Sequence, residues 1–297
     1  MSVEELARKS ALPAWLRAMR PKQWVKNVLV FAAPVAAGRL FETDVLSASA
    51  LALVAFCLIS SSVYLVNDVR DAEADRAHPK KRFRPIAAGE LAPQAAVAMA
   101  VVLGIAALAL SWWVAPQLFA TIATYWALQL GYSLFLKDQP IVDLAMVAAG
   151  FLLRAIAGGV ASGLPLSQWF LLVASFGSLF MVAGKRYSEL KQLGDQAGTR
   201  TSLESYSLSY LNMVWGISVA VVIVCYSLWA FEQPGPHLWN VSWPAISIAP
   251  FTLAILRYAM AVDSGRGGEP EDVVLSDHVL QALAVCWLIP VALAVFA

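Results

Sequence analysis

The nine residues from Asn67 to Asp75 place several oxygen-bearing side chains close together in a chain that has few charges. The segment reads NDVRDAEAD, and 14% of the 297 residues are charged. On a helix, Asn67, Asp71 and Asp75 recur every four residues and share one face, with Asp68 on the adjoining stripe. Carboxylates at this spacing repel one another unless a cation neutralises them, and Mg²⁺ binds such oxygen ligands together with substrate phosphates. The spacing therefore predicts a magnesium site formed by Asn67, Asp68, Asp71 and Asp75.

The same segment has an alternative interpretation as a solvated helix end, in which basic neighbours pair with the acids. Basic residues follow it directly, at Lys80, Lys81, Arg82 and Arg84. Beside a magnesium site, Lys and Arg side chains are suited to bind further phosphate oxygens. The usual enrichment of basic residues on the cytoplasmic side of a membrane explains them equally well.

The elements that must position these groups are long and apolar. Hydrophobic residues make up 60% of the chain, which is more than a soluble domain contains and excludes that class. Runs of this length without alternation indicate helices, so the predicted fold is an all-α, polytopic membrane protein. Taking about 20 apolar residues as one crossing, hydropathy predicts nine spans, near 27–41, 45–66, 94–113, 117–135, 141–162, 166–184, 208–231, 243–262 and 279–296.

The distribution of basic residues predicts the orientation of these spans. Almost all of the 21 Lys and Arg residues lie before the first span or in alternate loops. Because such residues accumulate on the cytoplasmic side, we expect the N-terminus inside, the C-terminus outside and the polar segments facing the cytoplasm of an inner (plasma) membrane. Residues 1–26 are too highly charged for a signal peptide and are predicted to form an amphipathic interfacial segment. Residues 27–297 are predicted to form one transmembrane domain, with catalytic loops at 67–93 and 185–207.

Arg154 departs from this distribution because it lies inside the fifth predicted span. An unpaired charge at such a position costs at least about 2.5 to 3.5 kcal/mol, so an intramembrane arginine is a functional candidate by default. Asp143 lies too far along the same helix to pair with it, and we expect the partner on another span. Nearby glycines, including Gly158, are typical of close helix packing. Alternatively, these glycines kink or thin the helix and let Arg154 face a cavity.

The acidic segment also resembles NDxxDxxxD, the first acidic motif of the UbiA superfamily of intramembrane prenyltransferases. In that family the motif follows the second of nine helices, which is its predicted place here. RPKQWVKN at 20–27 and Arg84-Pro85 are similar to the family as well. The resemblance implies nine transmembrane helices around a central cavity that opens to the cytoplasm, and Mg²⁺ as the cofactor.

The second aspartate motif that is typical of the superfamily is replaced here by basic residues, since the chain reads GKRYSELK at 184–191. Lys and Arg bind additional anionic oxygens directly, so the exchange favours a donor with more phosphate than a prenyl diphosphate, such as phosphoribosyl diphosphate. Within the superfamily, the chain most resembles one branch, the decaprenyl-phosphate phosphoribosyltransferases of cell-wall arabinan synthesis. The stretches that carry this resemblance are VYLVNDVRD, KRFRPIAAG, LLRAIAGG, FGSLFMVAGKRY and GEPED.

The resemblance to this branch implies Mg²⁺-dependent transfer of 5-phosphoribose from phosphoribosyl diphosphate to decaprenyl phosphate, with release of diphosphate. Asp68, Asp71 and Asp75 are the predicted catalytic residues. The predicted donor contacts are Lys22, Tyr64, Asn67, Asp71, Lys81, Arg82, Lys185, Arg186, Tyr187 and Lys191. The predicted contacts of the lipid phosphate are Lys26, His78, Arg84 and Arg154.

Two other functions remain open from the sequence. A UbiA-type prenyltransferase that moves a prenyl group from a prenyl diphosphate to an aromatic or quinone-precursor acceptor shares the acidic motif, but the basic segment at 184–191 disfavours it. A transporter would also use an intramembrane arginine, but polar residues concentrate on one membrane face and the sequence shows no inverted repeat. We expect no nucleic-acid partner, and the sequence leaves a homo-oligomer open.

Overall fold

The computed structural model describes residues 12–136, 139, 141–193, 206–233, 237–238, 241–266 and 270–296. Residues 1–11 of the predicted interfacial segment and residues 194–205 of the second predicted catalytic loop lie outside this part of the chain. The described residues are almost entirely helical, which confirms the predicted all-α class apart from one short hairpin of β1 (His237–Leu238) and β2 (Val241–Ser242).

Thirteen α-helices lie in the described residues. They are α1 (Ala14–Ala18), α2 (Ala32–Ala36), α3 (Thr43–Arg70), α4 (Ala72–Ala77), α5 (Pro93–Val114), α6 (Pro116–Gly131), α7 (Val142–Ala161), α8 (Gln168–Leu193), α9 (Leu208–Glu232), α10 (Trp243–Ile246), α11 (Ile248–Ala261), α12 (Pro270–Ser276) and α13 (His278–Phe296). Two 3₁₀ segments, Pro21–Phe31 and Lys81–Phe83, and two π-helical turns, Tyr132–Leu136 and Val262–Arg266, complete the regular structure in the described residues.

Six helical stretches among the described residues are long and apolar enough to cross a membrane. They are Thr43–Arg70, Pro93–Val114, Val142–Ala161, Gln168–Lys191, Leu208–Glu232 and Trp243–Ser264. The other three predicted spans coincide with shorter helices: α2 with the 3₁₀ segment before it, the 16-residue α6 and the apolar α13. A multi-pass membrane protein is therefore supported, while the count of nine spans remains a prediction.

Helix α8 continues well beyond the predicted end of its span. A catalytic loop is predicted from residue 185 onward, and in the structure α8 runs to Leu193 and includes Lys185 and Arg186. Lys185 and Glu189 lie one turn apart, with 3.8 Å between Nζ and Oε1. Such a pair favours helix at this position. The basic segment is therefore helical as far as Leu193, beyond the predicted end of its span at residue 184, and the boundary of the catalytic loop stays a prediction.

The chain divides into two compact units. The first unit consists of Met1–Pro34, Leu40–Leu134 and Leu153–Leu164, and the second of Val35–Arg39, Phe135–Leu152 and Pro165–Ala297. In the first unit, Phe56 and Ile59 of α3 pack with Ile122 of α6 in a fully buried apolar core. In the second unit, Phe180 of α8 packs with Trp215 of α9. Close packing of these side chains holds together the helices that carry the site residues.

Candidate active site

The acidic segment lies at the end of α3 and in α4, within the first unit. Asp71 separates the two helices, yet its N–H donates to the carbonyl of Asn67 at 2.9 Å, and the N–H of Asp75 donates to the carbonyl of Asp71 at 2.8 Å. The helical hydrogen-bond pattern therefore continues through the segment. Asn67, Asp71 and Asp75 lie at successive turns, as the spacing predicts.

Asp68 and Asp75, which are predicted metal ligands, contact arginines. Asp68 and Asp75 are each 3% exposed. Arg84 donates through Nη1 to both of them, at 3.2 Å to Asp68 Oδ1 and 2.6 Å to Asp75 Oδ2. Arg20 donates to Asp68 from the other side, through Nη2 to Oδ1 and through Nε to Oδ2 at 3.3 Å. The negative charges of both carboxylates are therefore compensated within the protein.

The other two predicted ligands, Asn67 and Asp71, are only partly buried. The Asn67 carbonyl oxygen Oδ1 accepts a hydrogen bond from the hydroxyl of Ser133, and an amide oxygen has a second lone pair for another partner. No group of three or more His, Cys, Asp or Glu residues that could hold a metal is found in the described residues. Mg²⁺ is commonly held by one or two carboxylates together with substrate phosphates. The donor set therefore fits an ion that arrives with a diphosphate.

Arg20 is a residue that the sequence analysis did not select. Its backbone is left-handed, with φ 56° and ψ 60°, a conformation that is uncommon for residues other than glycine and is often found at functional sites. Its guanidinium lies 5.1 Å from the ring centroid of Tyr64, a predicted donor contact. In the sequence Arg20 stands before Pro21 among other basic residues, and nothing in that position distinguishes it as a functional residue.

The remaining predicted cations of the first unit lie on its polar segments. Lys22, Lys81 and Arg82 are exposed, and Lys26 is partly buried. His78 accepts hydrogen bonds at Nδ1 from the backbone N–H groups of Lys80 at 3.1 Å and Lys81 at 3.3 Å. This contact shapes the turn that presents the basic residues.

Arg154 is buried within the first unit, with 6% of its surface exposed. Its Nε donates to Asn27 Oδ1 at 2.7 Å and its Nη2 donates to the Tyr125 hydroxyl at 2.9 Å. The guanidinium also lies 4.8 Å from the ring centroid of Tyr125 and 5.6 Å from that of Phe56. These partners come from the first 3₁₀ segment, α3 and α6, so the prediction of a partner on another element is confirmed.

Asn27 is the second residue that the sequence analysis missed. It is fully buried and donates through Nδ2 to Cys57 Sγ at 3.3 Å and Ser60 Oγ at 3.4 Å. One amide therefore joins α3 to Arg154. Asn27 stands at the predicted start of a span, where a polar residue is unremarkable from sequence alone.

In the second unit, the buried members of the basic segment are paired with acids. Arg186 donates to both oxygens of Asp143, at 2.9 and 3.2 Å, and to Glu189 at 2.8 Å. Asp143 is fully buried, and the Arg186 side chain is 7% exposed. This arrangement ties α7 to α8, which is a structural role that the prediction of a donor contact did not include.

The other predicted donor contacts of α8 differ in exposure. The Tyr187 hydroxyl donates to Asp263 at 2.9 Å, and Lys191 donates to the carbonyl of Asp263 at 2.6 Å. Tyr187 is buried, whereas the side chains of Lys185 and Lys191 are 44% and 42% exposed. Lys185 and Lys191 are therefore the members of this set whose ammonium groups are accessible.

Comparison with known proteins places this chain in a family. The sequence profile described as the UbiA prenyltransferase family matches residues 28–295. The chain belongs to this family.

Relatives within the UbiA family match nearly the whole chain. A decaprenyl-phosphate phosphoribosyltransferase of Mycobacterium tuberculosis is 54% identical over 286 residues, covering 94% of this chain and 93% of the relative. The proteins of the same name from Mycolicibacterium smegmatis and Corynebacterium glutamicum are each 50% identical and each cover 97% of this chain, which spans 94% and 88% of their lengths.

Solved structures show the same UbiA fold. A UbiA homolog from Archaeoglobus fulgidus bound to GPP and Mg²⁺ has a TM-score of 0.69 at 17% identity, covering 95% of this chain and 98% of that one. A UbiA homolog from Aeropyrum pernix has a TM-score of 0.65 at 16% identity, covering 91% and 98%. At this identity the likeness establishes the fold.

Proposed function

We propose that this UbiA family member transfers 5-phosphoribose from phosphoribosyl diphosphate to a polyprenyl phosphate, decaprenyl phosphate, for cell-wall arabinan synthesis, and releases diphosphate. The observation that carries the proposal is the 50–54% identity, over 94–97% of the chain, to decaprenyl-phosphate phosphoribosyltransferases of three organisms. The basic residues at 184–191 support it against transfer of a prenyl group to an aromatic acceptor, because that reaction belongs to relatives with a second acidic motif.

In this proposal Asn67 and Asp71 bind Mg²⁺ together with the diphosphate of the donor. Their partly buried oxygen atoms lie one helical turn apart at the end of α3. When bound there, Mg²⁺ would supply positive charge that stabilises the leaving diphosphate. Tyr64, with Arg20 beside its ring, is the proposed contact for the ribose.

Phosphate binding is assigned to the cations of each unit separately. In the first unit, Lys22, Lys81 and Arg82 are exposed and are proposed donor contacts. Lys26, His78 and Arg84 are proposed contacts of the lipid phosphate. Arg84 uses Nη1 for both of its carboxylate contacts, and a guanidinium has further donors on Nε and Nη2. In the second unit, Lys185 and Lys191 carry accessible ammonium groups and remain proposed phosphate contacts.

The reaction needs no general base, because the acceptor is a phosphate monoester that is already anionic at neutral pH. Catalysis then depends on positioning of the two substrates and on electrostatic stabilisation of the leaving group. Direct displacement at C1 inverts an α-linked donor to a β-linked product. NMR of the purified lipid product tests this step, since an α linkage would contradict it.

We also propose nine membrane crossings with the N-terminus inside and the polar segments facing the cytoplasm. The six spans found among the described residues and the segregation of Lys and Arg support this topology. Labelling of single cysteines from either side of the membrane tests it. Reaction at residue 82 from the outer face alone would contradict it.

Label transfer tests the reaction itself. Purified protein is incubated with radioactive phosphoribosyl diphosphate, polyprenyl phosphate and Mg²⁺, and a parallel sample contains a prenyl diphosphate with an aromatic acid. We expect labelled lipid that is lost on addition of EDTA and restored by excess Mg²⁺. Prenylation of the aromatic acid without labelled lipid would replace the proposed function by ordinary prenyl transfer.

A further inference from the structure

Arg84 contacts the two most buried acids of the acidic segment with a single nitrogen. Its Nη1 lies 3.2 Å from Asp68 Oδ1 and 2.6 Å from Asp75 Oδ2. The side chains of the two acids are 3% and 4% exposed, whereas that of Arg84 is 28% exposed. The acids are therefore enclosed, and the arginine that they hold reaches the surface.

The burial of Asp68 and Asp75 makes them poor ligands for magnesium. Mg²⁺ dehydrates reluctantly and keeps several waters in its coordination shell, so its protein ligands must be open to water. A buried carboxylate is instead stabilised by a close, hydrogen-bonded cation, and loss of that cation leaves an expensive unpaired charge. Arg20 and Arg84 supply this compensation for Asp68, and Arg84 supplies it for Asp75.

The two arginines also change the charge that a phosphate group meets. Without cations, the carboxylates of Asp68, Asp71 and Asp75 would present three negative charges to an anionic substrate, which repels it. With Arg20 and Arg84 in place, the charges of Asp68 and Asp75 are balanced. A phosphate that approaches the exposed part of the Arg84 side chain therefore meets a guanidinium whose position is fixed by Asp68 and Asp75.

We propose that Asp75 is a positioning residue for the transferase reaction. Together with Asp68 it fixes the guanidinium of Arg84, and Arg84 binds a phosphate group of a substrate, while metal binding is left to Asn67 and Asp71. The inference rests on the proposed function for the identity of the substrates. The phosphate belongs either to the polyprenyl phosphate or to phosphoribosyl diphosphate, and the kinetic test distinguishes these two sources.

The test compares the variants Asp75→Asn, Arg84→Gln, the double variant and Asp71→Asn, with Glu73→Gln as the matched control. Glu73 lies in the same segment and is exposed. Initial rates are measured against Mg²⁺, phosphoribosyl diphosphate and polyprenyl phosphate, each varied in turn. Thermal unfolding in detergent shows which variants are folded, and Asp75→Glu replaces Asp75→Asn if the latter does not fold.

We expect Asp75→Asn to raise the KM for one of the two phosphate substrates about tenfold, the loss expected when a charge-assisted hydrogen bond that orients an arginine is weakened. The substrate whose KM rises identifies the phosphate. The Mg²⁺ concentration for half-maximal rate should stay within about twofold of wild type, whereas Asp71→Asn should raise it about tenfold or more. The double variant should be no worse than Arg84→Gln alone, because the two side chains act as one unit.

A rise in the Mg²⁺ requirement of Asp75→Asn equal to that of Asp71→Asn would overturn the proposal in favour of direct metal binding. The proposal would also be overturned if the loss of activity in the double variant equalled the product of the losses caused by Asp75→Asn and Arg84→Gln separately. A wild-type protein that transfers no phosphoribose refutes the proposed function instead. The same variants are then compared in the prenyl diphosphate reaction. There too, the Mg²⁺ requirement of Asp75→Asn and the additivity of Asp75→Asn with Arg84→Gln test the coupling of Asp75 to Arg84.

Discussion

The backbone carbonyl of Val30 occupies the place where a side chain at Gly158 would begin. A Cβ built on Gly158 would lie 1.8 Å from the carbonyl oxygen of Val30 and 3.1 Å from Pro34 Cδ. The first 3₁₀ segment therefore approaches α7 more closely than any residue except glycine permits. Close packing is the typical reason for glycines in such a span, and Gly158 confirms this expectation.

Gly158→Ala should destabilise the protein strongly, because the added methyl cannot be placed without movement of backbone atoms. Overpacking of a tight contact costs about 1 to 3 kcal/mol and sometimes more. The matched control is Gly216→Ala in α9, where a Cβ meets nothing within 4 Å. Alanine favours helix over glycine by about 1 kcal/mol, so the control should unfold at the same or a higher temperature. Thermal unfolding in detergent measures both, and equal behaviour of the two variants would contradict the contact.

Arg154→Met should lower stability because Asn27 and Tyr125 each lose a hydrogen-bond donor in a buried environment. A buried polar group left without its partner costs about 1 to 3 kcal/mol. Arg154→Lys, which keeps the charge but not the planar fork, should recover only part of the loss. Thermal unfolding and activity are measured together. Unchanged unfolding with lost turnover would make Arg154 chiefly a substrate contact.

Asp143→Leu should destabilise the second unit by about 3 to 5 kcal/mol, since it leaves Arg186 buried without its bidentate partner. The double variant Asp143→Leu/Arg186→Met removes both charges and should recover most of this loss, because a buried ion pair is often replaceable by apolar side chains. The comparison is made by chemical or thermal unfolding of the three variants in detergent. A double variant less stable than Asp143→Leu would show that Arg186 stabilises the fold through other contacts.

Lys185→Ala should raise the KM for phosphoribosyl diphosphate with little change in stability, because its side chain is 44% exposed and its pair with Glu189 spans 3.8 Å. Exposed pairs of this kind contribute about 0 to 1 kcal/mol to folding. Lys185→Arg, which keeps the charge, is the control and should retain most of the affinity. A KM that rises for polyprenyl phosphate alone would exchange the donor and lipid assignments.

Asp71→Ala should abolish phosphoribosyl transfer without unfolding the protein, because Asp71 is the partly exposed carboxylate of the acidic segment that is assigned to the Mg²⁺–diphosphate. Label transfer and thermal unfolding are measured on the same preparation, with Glu73→Gln as the control. Full activity of Asp71→Ala would refute the metal assignment.

The sequence predicted the helices well where apolar runs decide them, as for α3, α5 and α9. Hydropathy did not locate the ends of the elements. Helix α8 continues to Leu193, past the predicted end of its span at residue 184, and the 3₁₀ segment Pro21–Phe31 overlaps the start of the span predicted at 27–41. Hydropathy identifies apolar stretches, and an apolar stretch can form either an α-helix or a 3₁₀ helix.

The sequence indicated the helical spacing of the acidic segment but not the pairing of its side chains. The spacing of Asn67, Asp71 and Asp75 indicated their common helical direction correctly. It could not indicate that Arg84, nine residues after Asp75, returns to Asp75 through the turn that follows α4. Contacts between residues distant in sequence, such as Arg20 with Asp68 or Asn27 with Arg154, leave no periodic signal in a single sequence.

The turn at His78 has a consequence for what this side chain offers a phosphate. Since Nδ1 accepts two backbone N–H groups, this nitrogen is directed at the backbone of the turn, and Nε2 is the ring nitrogen left for an external partner. The side chain can therefore offer an anion one contact, and electrostatic attraction of the anion is supplied by the lysines and arginines that the turn displays.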